Sequence, residues 1–177
     1  TASLGIGHTR WATHGEPNQV NAHPHCDCQK RLAVVHNGII ENYAVLRADL
    51  LVRGHHFVSQ TDTEVLCHLF EELLARGLDL AEAVRQGLGQ VHGTYGIAVL
   101  DRENPHLLLA ARKGSPLVVG HGDNEFYLAS DTAPLVGHTT DVSYLDDGEM
   151  AIITQSQFAV RTIDNREVTK SIHVIET

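Results

Sequence analysis

The segment Gly7–Gly15, GHTRWATHG, concentrates side chains that can bind a ligand. Between its outer glycines it carries the guanidinium of Arg10, the indole of Trp11, the hydroxyl of Thr13 and the imidazole of His14. Neither the alternation of a half-buried strand nor the spacing of an amphipathic helix runs through it. We therefore interpret the segment as a loop, although Arg10 taken alone could be an ordinary surface arginine.

Asn37, Gly38 and Asp62 are the other candidates for chemistry. Asn37 and Gly38 directly follow LAVVH, an apolar run that predicts a buried strand, and this dipeptide favours a turn with positive φ. Asp62 lies in TDTE, which fits a helix-capping box. Each residue also has a purely structural explanation, since the first pair can be only a turn and an acid suits the first turn of a helix.

The stretch HPHCDC and the nearby His36 suggest a metal site, because imidazole and thiolate groups are packed closely. The candidate ligands are His23, His25, Cys26, Cys28 and His36. However, Cys-x-Cys is too tight for the usual zinc pairing, and no second matching pair follows. We therefore expect no functional metal, interpret the two first histidines as scaffolding of a pocket, and predict a solvated turn over residues 26–30.

Composition excludes several classes of function. The chain has 177 residues and a formal net charge of −9, so we expect one domain that binds neither nucleic acid nor a membrane surface. No apolar run approaches the roughly 20 residues that span a bilayer. The three cysteines do not suggest a disulfide framework, so we expect a reducing, cytoplasmic environment.

The order of the predicted elements indicates an α+β layered domain. Helices are predicted over residues 41–53, from Thr61 to Gly77, and from Asp79 to about Gly87. Strands are predicted over 32–36, 95–101, 106–112, 116–120 and 125–130, as a hairpin around 155–156, and over 171–175.

A set of motifs in fixed order resembles the class II glutamine amidotransferases, and within them the branch that acts on sugar phosphates. Besides GHTRWATHG, the set contains EPNQVNAHPH, VVHNGIIENY, SQTDTEV, GTYGIAVLD, ARKGSPLVVG and LASDTAPLV. The resemblance implies a four-layer αββα N-terminal-nucleophile hydrolase sandwich. It implies hydrolysis of L-glutamine to supply ammonia for the conversion of fructose 6-phosphate to glucosamine 6-phosphate in hexosamine synthesis, without a cofactor.

The resemblance also implies a role for each candidate residue. A guanidinium can bind the α-carboxylate of glutamine through two parallel hydrogen bonds, and a carboxylate can pair with the α-ammonium. The implied substrate-binding residues are Arg10, Trp11, Thr13, His14 and Asp62. Asn37 and Gly38 are implied to form the oxyanion hole, with N–H groups directed at the amide oxygen.

The nucleophile that the resemblance implies, a cysteine at the mature N-terminus, has no match in this chain. The first residue is Thr1, and the first cysteine is Cys26. We expect the chain to be a single glutaminase domain, residues 1–177, truncated at its N-terminus and lacking the sugar isomerase domain of its parent. We therefore expect no efficient hydrolysis, although Thr1 could itself act as a nucleophile.

Two alternatives remain open. One is the glutaminase domain of another class II amidotransferase, such as the purine-pathway amidophosphoribosyltransferase. The other is a non-catalytic glutamine-binding module. In either case a truncated sheet would expose strand edges, so self-association, including a homodimer, is expected.

Overall fold

The computed structural model describes residues 3–176, so the alternative nucleophile Thr1 lies outside the described residues. Three helices are present, α1 at Tyr43–Val52, α2 at Glu64–Ala75 and α3 at Leu80–Leu88. The strands are β1 His25–Cys26, β2 Leu32–Asn37, β3 Tyr95–Asp101, β4 Leu108–Lys113, β5 Val118–His121, β6 Phe126–Ala129, β7 Asp141–Tyr144, β8 Glu149–Ile153, β9 Phe158–Thr162, β10 Glu167–Val168 and β11 His173–Val174. No helix in the described range is both long and apolar enough to cross a bilayer.

The strands form two antiparallel sheets. The larger has seven strands in the order β1-β2-β3-β4-β8-β9-β10, and the smaller has four in the order β11-β7-β5-β6. In the larger sheet β2 pairs with β3 so that Asn37 lies opposite Gly96. This register fixes the position of the Asn37–Gly38 turn at the end of an interior pair of strands.

The two faces of the larger sheet pack against different layers, and neighbouring residues of a strand point to opposite faces. Val34 and Val99 pack in the cluster that holds the apolar side chains of α2, including Phe70. Their neighbours Val35 and Ala98 pack in a second cluster, with residues of the smaller sheet. Because side chains alternate along a strand, this pattern produces a layer of helices, then the larger sheet, then the smaller sheet. The predicted α+β sandwich is confirmed.

The outer face of the smaller sheet has a small apolar cluster of its own. Leu135 lies in a single 3₁₀ turn, Ala133–Leu135, and packs against Val118 and Val142. Within residues 3–176 this turn is the only helical segment in that cluster.

Glycines after α1 and α2 and a cap before α3 lie close to the helix bounds predicted from the sequence. Gly54 has φ +93° after α1 and Gly77 has φ +89° after α2, a conformation that glycine adopts without steric cost. Asp79 caps α3 by accepting a hydrogen bond from the Glu82 N–H at 2.9 Å. The predicted start of the third helix is therefore confirmed.

The predicted capping box at the start of α2 is wrong. The cap residue of α2 is Thr63, which makes no side-chain cap hydrogen bond. The Glu64 carboxylate instead accepts hydrogen bonds from the backbone N–H groups of Val58 and Ser59, at 2.8 and 2.7 Å. Glu64 therefore fixes the loop before the helix, while the Thr61 hydroxyl contacts Ser59.

The predicted solvated turn at residues 26–30 needs correction at its start. Cys26 belongs to β1 and lies opposite Ala33 of β2. The buried Asp27 accepts a hydrogen bond from the Leu32 N–H at 2.8 Å. Only the remainder of the stretch is an exposed turn, because a two-residue strand and one buried acid tie its beginning to the sheet.

Candidate functional site

A cavity of about 180 Å³ lies where the Gly7–Gly15 loop meets the end of β2 and the segment before α2. We call it the loop cavity. All seven residues singled out from the sequence are among its lining residues: Arg10, Trp11, Thr13, His14, Asn37, Gly38 and Asp62. Its volume is below the roughly 300–1,000 Å³ of pockets for drug-sized ligands, so it suits a smaller molecule.

Asn21 joins two of the segments that form the loop cavity. Its side chain donates to the Glu16 carbonyl at 3.0 Å and accepts from the Gln60 N–H at 2.9 Å. Asn21 is only 1% exposed, so both hydrogen bonds are shielded from water. The end of the Arg10 loop is thereby held beside the segment that carries Asp62.

Arg10 uses much of its guanidinium to fix its own loop. Its Nη atoms donate to the backbone carbonyls of His14, Gly15 and Glu16 at 2.5, 3.1 and 3.0 Å. A guanidinium has five N–H groups, so one on Nε and one on Nη1 remain for a ligand. The two-pronged carboxylate contact expected from the sequence is therefore not preformed, although the positive charge lies at the cavity.

Asp62 is a buried carboxylate with one oxygen still open to a ligand. It is 4% exposed, and its Oδ2 accepts a hydrogen bond from the Ile40 N–H at 2.7 Å. Its Oδ1 has no hydrogen-bond partner among residues 3–176. Burial of an unpaired negative charge is costly, so the site favours a positively charged group next to this oxygen.

Asn37 and Gly38 form the end of the cavity at the C-terminal end of β2. The His8 Nε2 lies 2.7 Å from the Asn37 Oδ1. If the imidazole donates this hydrogen bond, the Asn37 amide oxygen is occupied and its N–H groups are left as donors. Gly38 has φ +126°, and a Cβ there would lie 2.3 Å from the Thr94 carbonyl oxygen, so only glycine fits this position.

Trp11 and His14 differ in how they border the cavity. The Trp11 side chain is 90% exposed, so it shapes the cavity only at the rim. The His14 Nδ1 is buried and has no hydrogen-bond partner within the described residues. An unsatisfied buried nitrogen costs free energy, so a polar group of a ligand that reached this atom would gain a hydrogen bond.

Five further lining residues were not assigned to this site from the sequence, namely His8, Thr9, His36, Thr61 and Thr63. His8 and Thr9 belong to the same GHTRWATHG segment, and His36 directly precedes Asn37, so proximity in sequence was the available signal. His36 is buried, with Nδ1 2.9 Å from the Thr63 hydroxyl and Nε2 3.2 Å from the Thr94 carbonyl. It therefore ties the start of α2 to β2.

Three histidines at or next to the cavity, His23, His25 and His36, have lowered pKa values. Burial, together with the positive charges that His8, His25 and His36 can carry, lowers the pKa of His23 to about 3. Burial also lowers the pKa of His25 and of His36. His23 lines the cavity, as the scaffolding interpretation implies, whereas His25 does not.

Acid is therefore expected to destabilise the protein over the pH range between the unfolded and folded pKa values of His23. The unfolded chain binds a proton at His23 near pH 6.5 while the folded chain does so only near pH 3, so stability falls as pH decreases between these values. We expect the melting temperature to decrease between pH 7 and 5, and His23→Gln to flatten this decrease. An equal slope in His23→Gln and in the control His106→Gln, which changes an exposed histidine, would contradict the assignment.

A larger cavity, of about 440 Å³, lies elsewhere and offers less chemistry. Its lining includes Leu4, Leu32, Arg31 and Asp101. The Asp101 carboxylate is already paired with the Arg31 guanidinium through two hydrogen bonds of 2.9 and 2.8 Å. Asp101 is the one acidic residue in the described lining, and it is already paired, so this cavity offers no free carboxylate to a ligand and is not the better candidate.

Comparison with known proteins agrees with the chemistry of the loop cavity. Residues 8–137 match the model of a family described as glutamine amidotransferase domain. A glutamine–fructose-6-phosphate aminotransferase of Chlorobaculum tepidum is 51% identical over 173 residues, which cover 97% of this chain and 28% of that protein. The corresponding protein of Bacteroides thetaiotaomicron is 51% identical, over 99% of this chain and 29% of its own length. The chain thus spans less than a third of either relative.

Solved structures show the same architecture. Glutamine phosphoribosylpyrophosphate amidotransferase from B. subtilis superposes with a TM-score of 0.74 at 25% identity, over 88% of this chain and 34% of that one. A structure described as the allosteric regulatory enzyme of purine biosynthesis also gives a TM-score of 0.74, at 28% identity, with the same coverage. Because the family model matches well over half of the residues of this chain, the chain belongs to the glutamine amidotransferase domain family.

Proposed function

We propose that the loop cavity binds L-glutamine. The observation that carries the proposal is that one 180 Å³ cavity is lined by a guanidinium, a buried carboxylate and an asparagine–glycine turn. The α-carboxylate of glutamine would bind Arg10, helped by Thr13 and His14, and the α-ammonium would pair with Asp62. The cationic Arg10 beside the α-carboxylate and the anionic Asp62 beside the α-ammonium together select an α-amino acid over a simple carboxylate or amine.

The side-chain amide of glutamine would then lie at Asn37 and Gly38. Attack on this amide places negative charge on its oxygen, and the Asn37 side-chain N–H and the Gly38 backbone N–H would stabilise that charge. Loss of one such donor typically raises the barrier by about 3–4 kcal/mol. These two residues therefore serve the transition state, whereas Arg10 and Asp62 serve binding.

The described lining of the loop cavity contains no thiol. Cys67 lies within α2 and is buried, and burial raises its pKa well above the usual value. Cys26 lies in β1 and Cys28 in the turn after it, and neither lines the cavity. We therefore infer that none of these three cysteines attacks the bound amide, so that the described residues bind glutamine without hydrolysing it and hydrolysis requires a cysteine nucleophile at an N-terminus.

We further propose that the chain is the glutaminase domain of a glutamine–fructose-6-phosphate aminotransferase. Identity of 51% to two such enzymes, over nearly the whole chain, supports this assignment. In the parent protein a sugar-phosphate isomerase domain would receive the ammonia and aminate fructose 6-phosphate. The free cysteines are in keeping with a cytoplasmic enzyme, and a homodimer is the assembly we expect.

A purine-pathway amidophosphoribosyltransferase is the second candidate. The solved structures of that class share the fold but only 25% and 28% of the sequence, against 51% for the sugar enzymes. A non-catalytic glutamine-binding module is the third candidate, and it would use the same binding residues. The acceptor therefore needs a separate experiment from the one that tests glutamine.

Calorimetry with the 177-residue chain tests the binding proposal. We expect L-glutamine to bind at one site per chain, D-glutamine and 4-carbamoylbutanoate (glutamine without its α-amino group) to bind much more weakly, and no ammonia to be released. Absence of any L-glutamine binding, or equal affinity for the compound without the amino group, would contradict the proposal. Ammonia release at the rate of an intact enzyme would contradict the inferred need for a cysteine.

The acceptor is tested with the protein encoded by the entire gene that contains this chain. Supplied with glutamine, it is expected to form glucosamine 6-phosphate from fructose 6-phosphate and to leave 5-phosphoribosyl pyrophosphate unchanged. Use of the pyrophosphate instead would support the purine enzyme. Glutamine binding with no amination of either acceptor would support the non-catalytic module.

A further inference from the structure

Cys28, His55, His68 and Glu71 form a compact set of metal-binding atoms outside the loop cavity. We call these four residues the Cys28 cluster. The Cys28 Sγ lies 3.7 Å from the His55 Nδ1 and 3.4 Å from the His68 Nδ1. The Glu71 Oε2 lies 2.9 Å from the first nitrogen and 3.3 Å from the second. All four ligand atoms lie within 4.8 Å of one another.

Three separate segments contribute to the cluster. Cys28 lies in the turn between β1 and β2, His55 directly follows the glycine that ends α1, and the other two lie on α2. His68 and Glu71 are three residues apart on α2 and therefore share one face of the helix. Both histidines are buried, whereas Cys28 is exposed, so an ion could enter from the cysteine side.

Each histidine has a carboxylate on its other nitrogen. The His68 Nε2 lies 3.2 Å from the Glu64 Oε1, and the His55 Nε2 lies 3.0 Å from the Glu72 Oε2. A carboxylate can only accept, so each Nε2 is the donor and carries a proton. Histidines that bind metals are typically held in this way, with the second nitrogen donating to a carboxylate.

This arrangement points both Nδ1 atoms at a carboxylate oxygen. A neutral imidazole protonated on Nε2 presents a lone pair at Nδ1, and Glu71 Oε2 presents further lone pairs at 2.9 and 3.3 Å. These three acceptors repel one another unless a hydrogen-bond donor or a cation lies between them. The Cys28 N–H donates to Glu71 Oε2 at 3.3 Å, and the rest of the repulsion can be relieved by the Cys28 thiol, by protons on the imidazoles or by one metal ion. A sulfur in contact with both Nδ1 atoms favours the metal ion, because a thiolate and two imidazoles are its preferred ligands.

We propose that the Cys28 cluster binds a zinc-like divalent transition metal ion through Cys28 Sγ, His55 Nδ1, His68 Nδ1 and one Glu71 oxygen. A tetrahedral ion with ligand bonds of about 2.0–2.3 Å places its ligand atoms about 3.3–3.8 Å apart. Of the six separations among the four ligand atoms, three are 3.3, 3.4 and 3.7 Å and fall in this range, one is 2.9 Å, and the other two are no longer than 4.8 Å. Thiolate and imidazole ligands favour zinc over magnesium or calcium.

Four protein ligands leave no open coordination position, so the ion would be structural. It would join the β1–β2 turn, the segment after α1 and the helix that directly follows Asp62. The site shares no residue with the loop cavity, and the proposal does not depend on glutamine binding. Cys28 was grouped from the sequence only with its near neighbours, because its ligand partners lie 27 to 43 residues further along the chain.

Titration of the reduced, metal-free 177-residue chain with Co²⁺ and then Zn²⁺ tests the proposal. We expect one ion per chain, a thiolate-to-cobalt charge-transfer band that Zn²⁺ abolishes, and a higher melting temperature with Zn²⁺. Cys28→Ser is expected to remove the band and weaken binding at least 10-fold. Glu72→Gln, which removes the negative charge behind His55 and beside Arg53 and Arg76 but no ligand atom, is expected to weaken binding about 10- to 100-fold while the band remains.

Cys26→Ser is the matched control, since this neighbouring cysteine lies outside the cluster. It is expected to leave both the band and the affinity unchanged. Absence of saturable binding, a charge-transfer band that survives in Cys28→Ser, or equal losses in the two cysteine variants would overturn the proposal. The last result would indicate simple Cys-x-Cys chelation instead.

Discussion

Asp62→Asn is expected to weaken L-glutamine binding to the 177-residue chain about 10- to 100-fold. Asparagine can still accept the hydrogen bond from the Ile40 N–H, so the loop geometry is preserved while the negative charge is lost. A hydrogen bond to a charged group contributes about 1.5–3 kcal/mol, and about 1.4 kcal/mol corresponds to a factor of ten in affinity. Calorimetry of the variant against the unmodified chain measures the effect.

Asp79→Asn is the control for this experiment. Asp79 also precedes a helix, but it caps α3 and does not line the loop cavity. Asparagine caps a helix about as well as aspartate, so both stability and glutamine affinity should stay close to the original values. Equal affinities in the Asp62 and Asp79 variants would remove the basis for an ammonium-binding role.

Gly38→Ala is expected to cost at least about 3 kcal/mol of the free energy of unfolding and to abolish glutamine binding. The backbone has φ +126°, and the added Cβ would lie 2.3 Å from the Thr94 carbonyl oxygen and 2.7 Å from its carbon. Backbone atoms cannot rotate away as a flexible side chain can, so the turn itself must move. That movement would displace the Gly38 N–H and the Ile40 N–H that contacts Asp62.

Gly54→Ala separates the effect of φ from the effect of crowding. Gly54 has φ +93°, but no atom lies within 4 Å of a Cβ built there. Gly54→Ala should therefore lower the free energy of unfolding by only about 1–2 kcal/mol, the cost of placing a non-glycine residue in the left-handed conformation. Urea denaturation of both variants measures the difference, and a Gly38→Ala cost no larger than that of Gly54→Ala would show that Thr94 does not constrain the turn.

Regular elements could be predicted because their patterns are local. The apolar run at Leu32–His36, the helical spacing after Glu41 and the Asp79 cap all depend on residues close together in sequence, and the structure confirms each of them. β7 and β10 were not predicted. They have only four and two residues, and pairing across the sheet stabilises them more than their own composition does.

Side-chain partners could not be predicted because they depend on segments distant in sequence. Arg10 and Trp11 could be identified as candidates from their residue types. Nothing near them in the sequence indicates that the guanidinium fixes its own loop or that the indole lies in solvent. In the same way Glu64 contacts the preceding loop rather than forming a capping box with Thr61. Residue type indicated which groups could act, while only the folded chain determines which hydrogen bonds remain available.

A crystal structure of the chain with L-glutamine tests the central claim most directly. We predict that the ligand occupies the loop cavity, with its ammonium within hydrogen-bond distance of the Asp62 Oδ1, its carboxylate beside the Arg10 guanidinium and its amide oxygen facing Asn37 and Gly38. Glutamine bound outside this cavity, or reversed so that its side-chain amide contacts Asp62, would contradict the account.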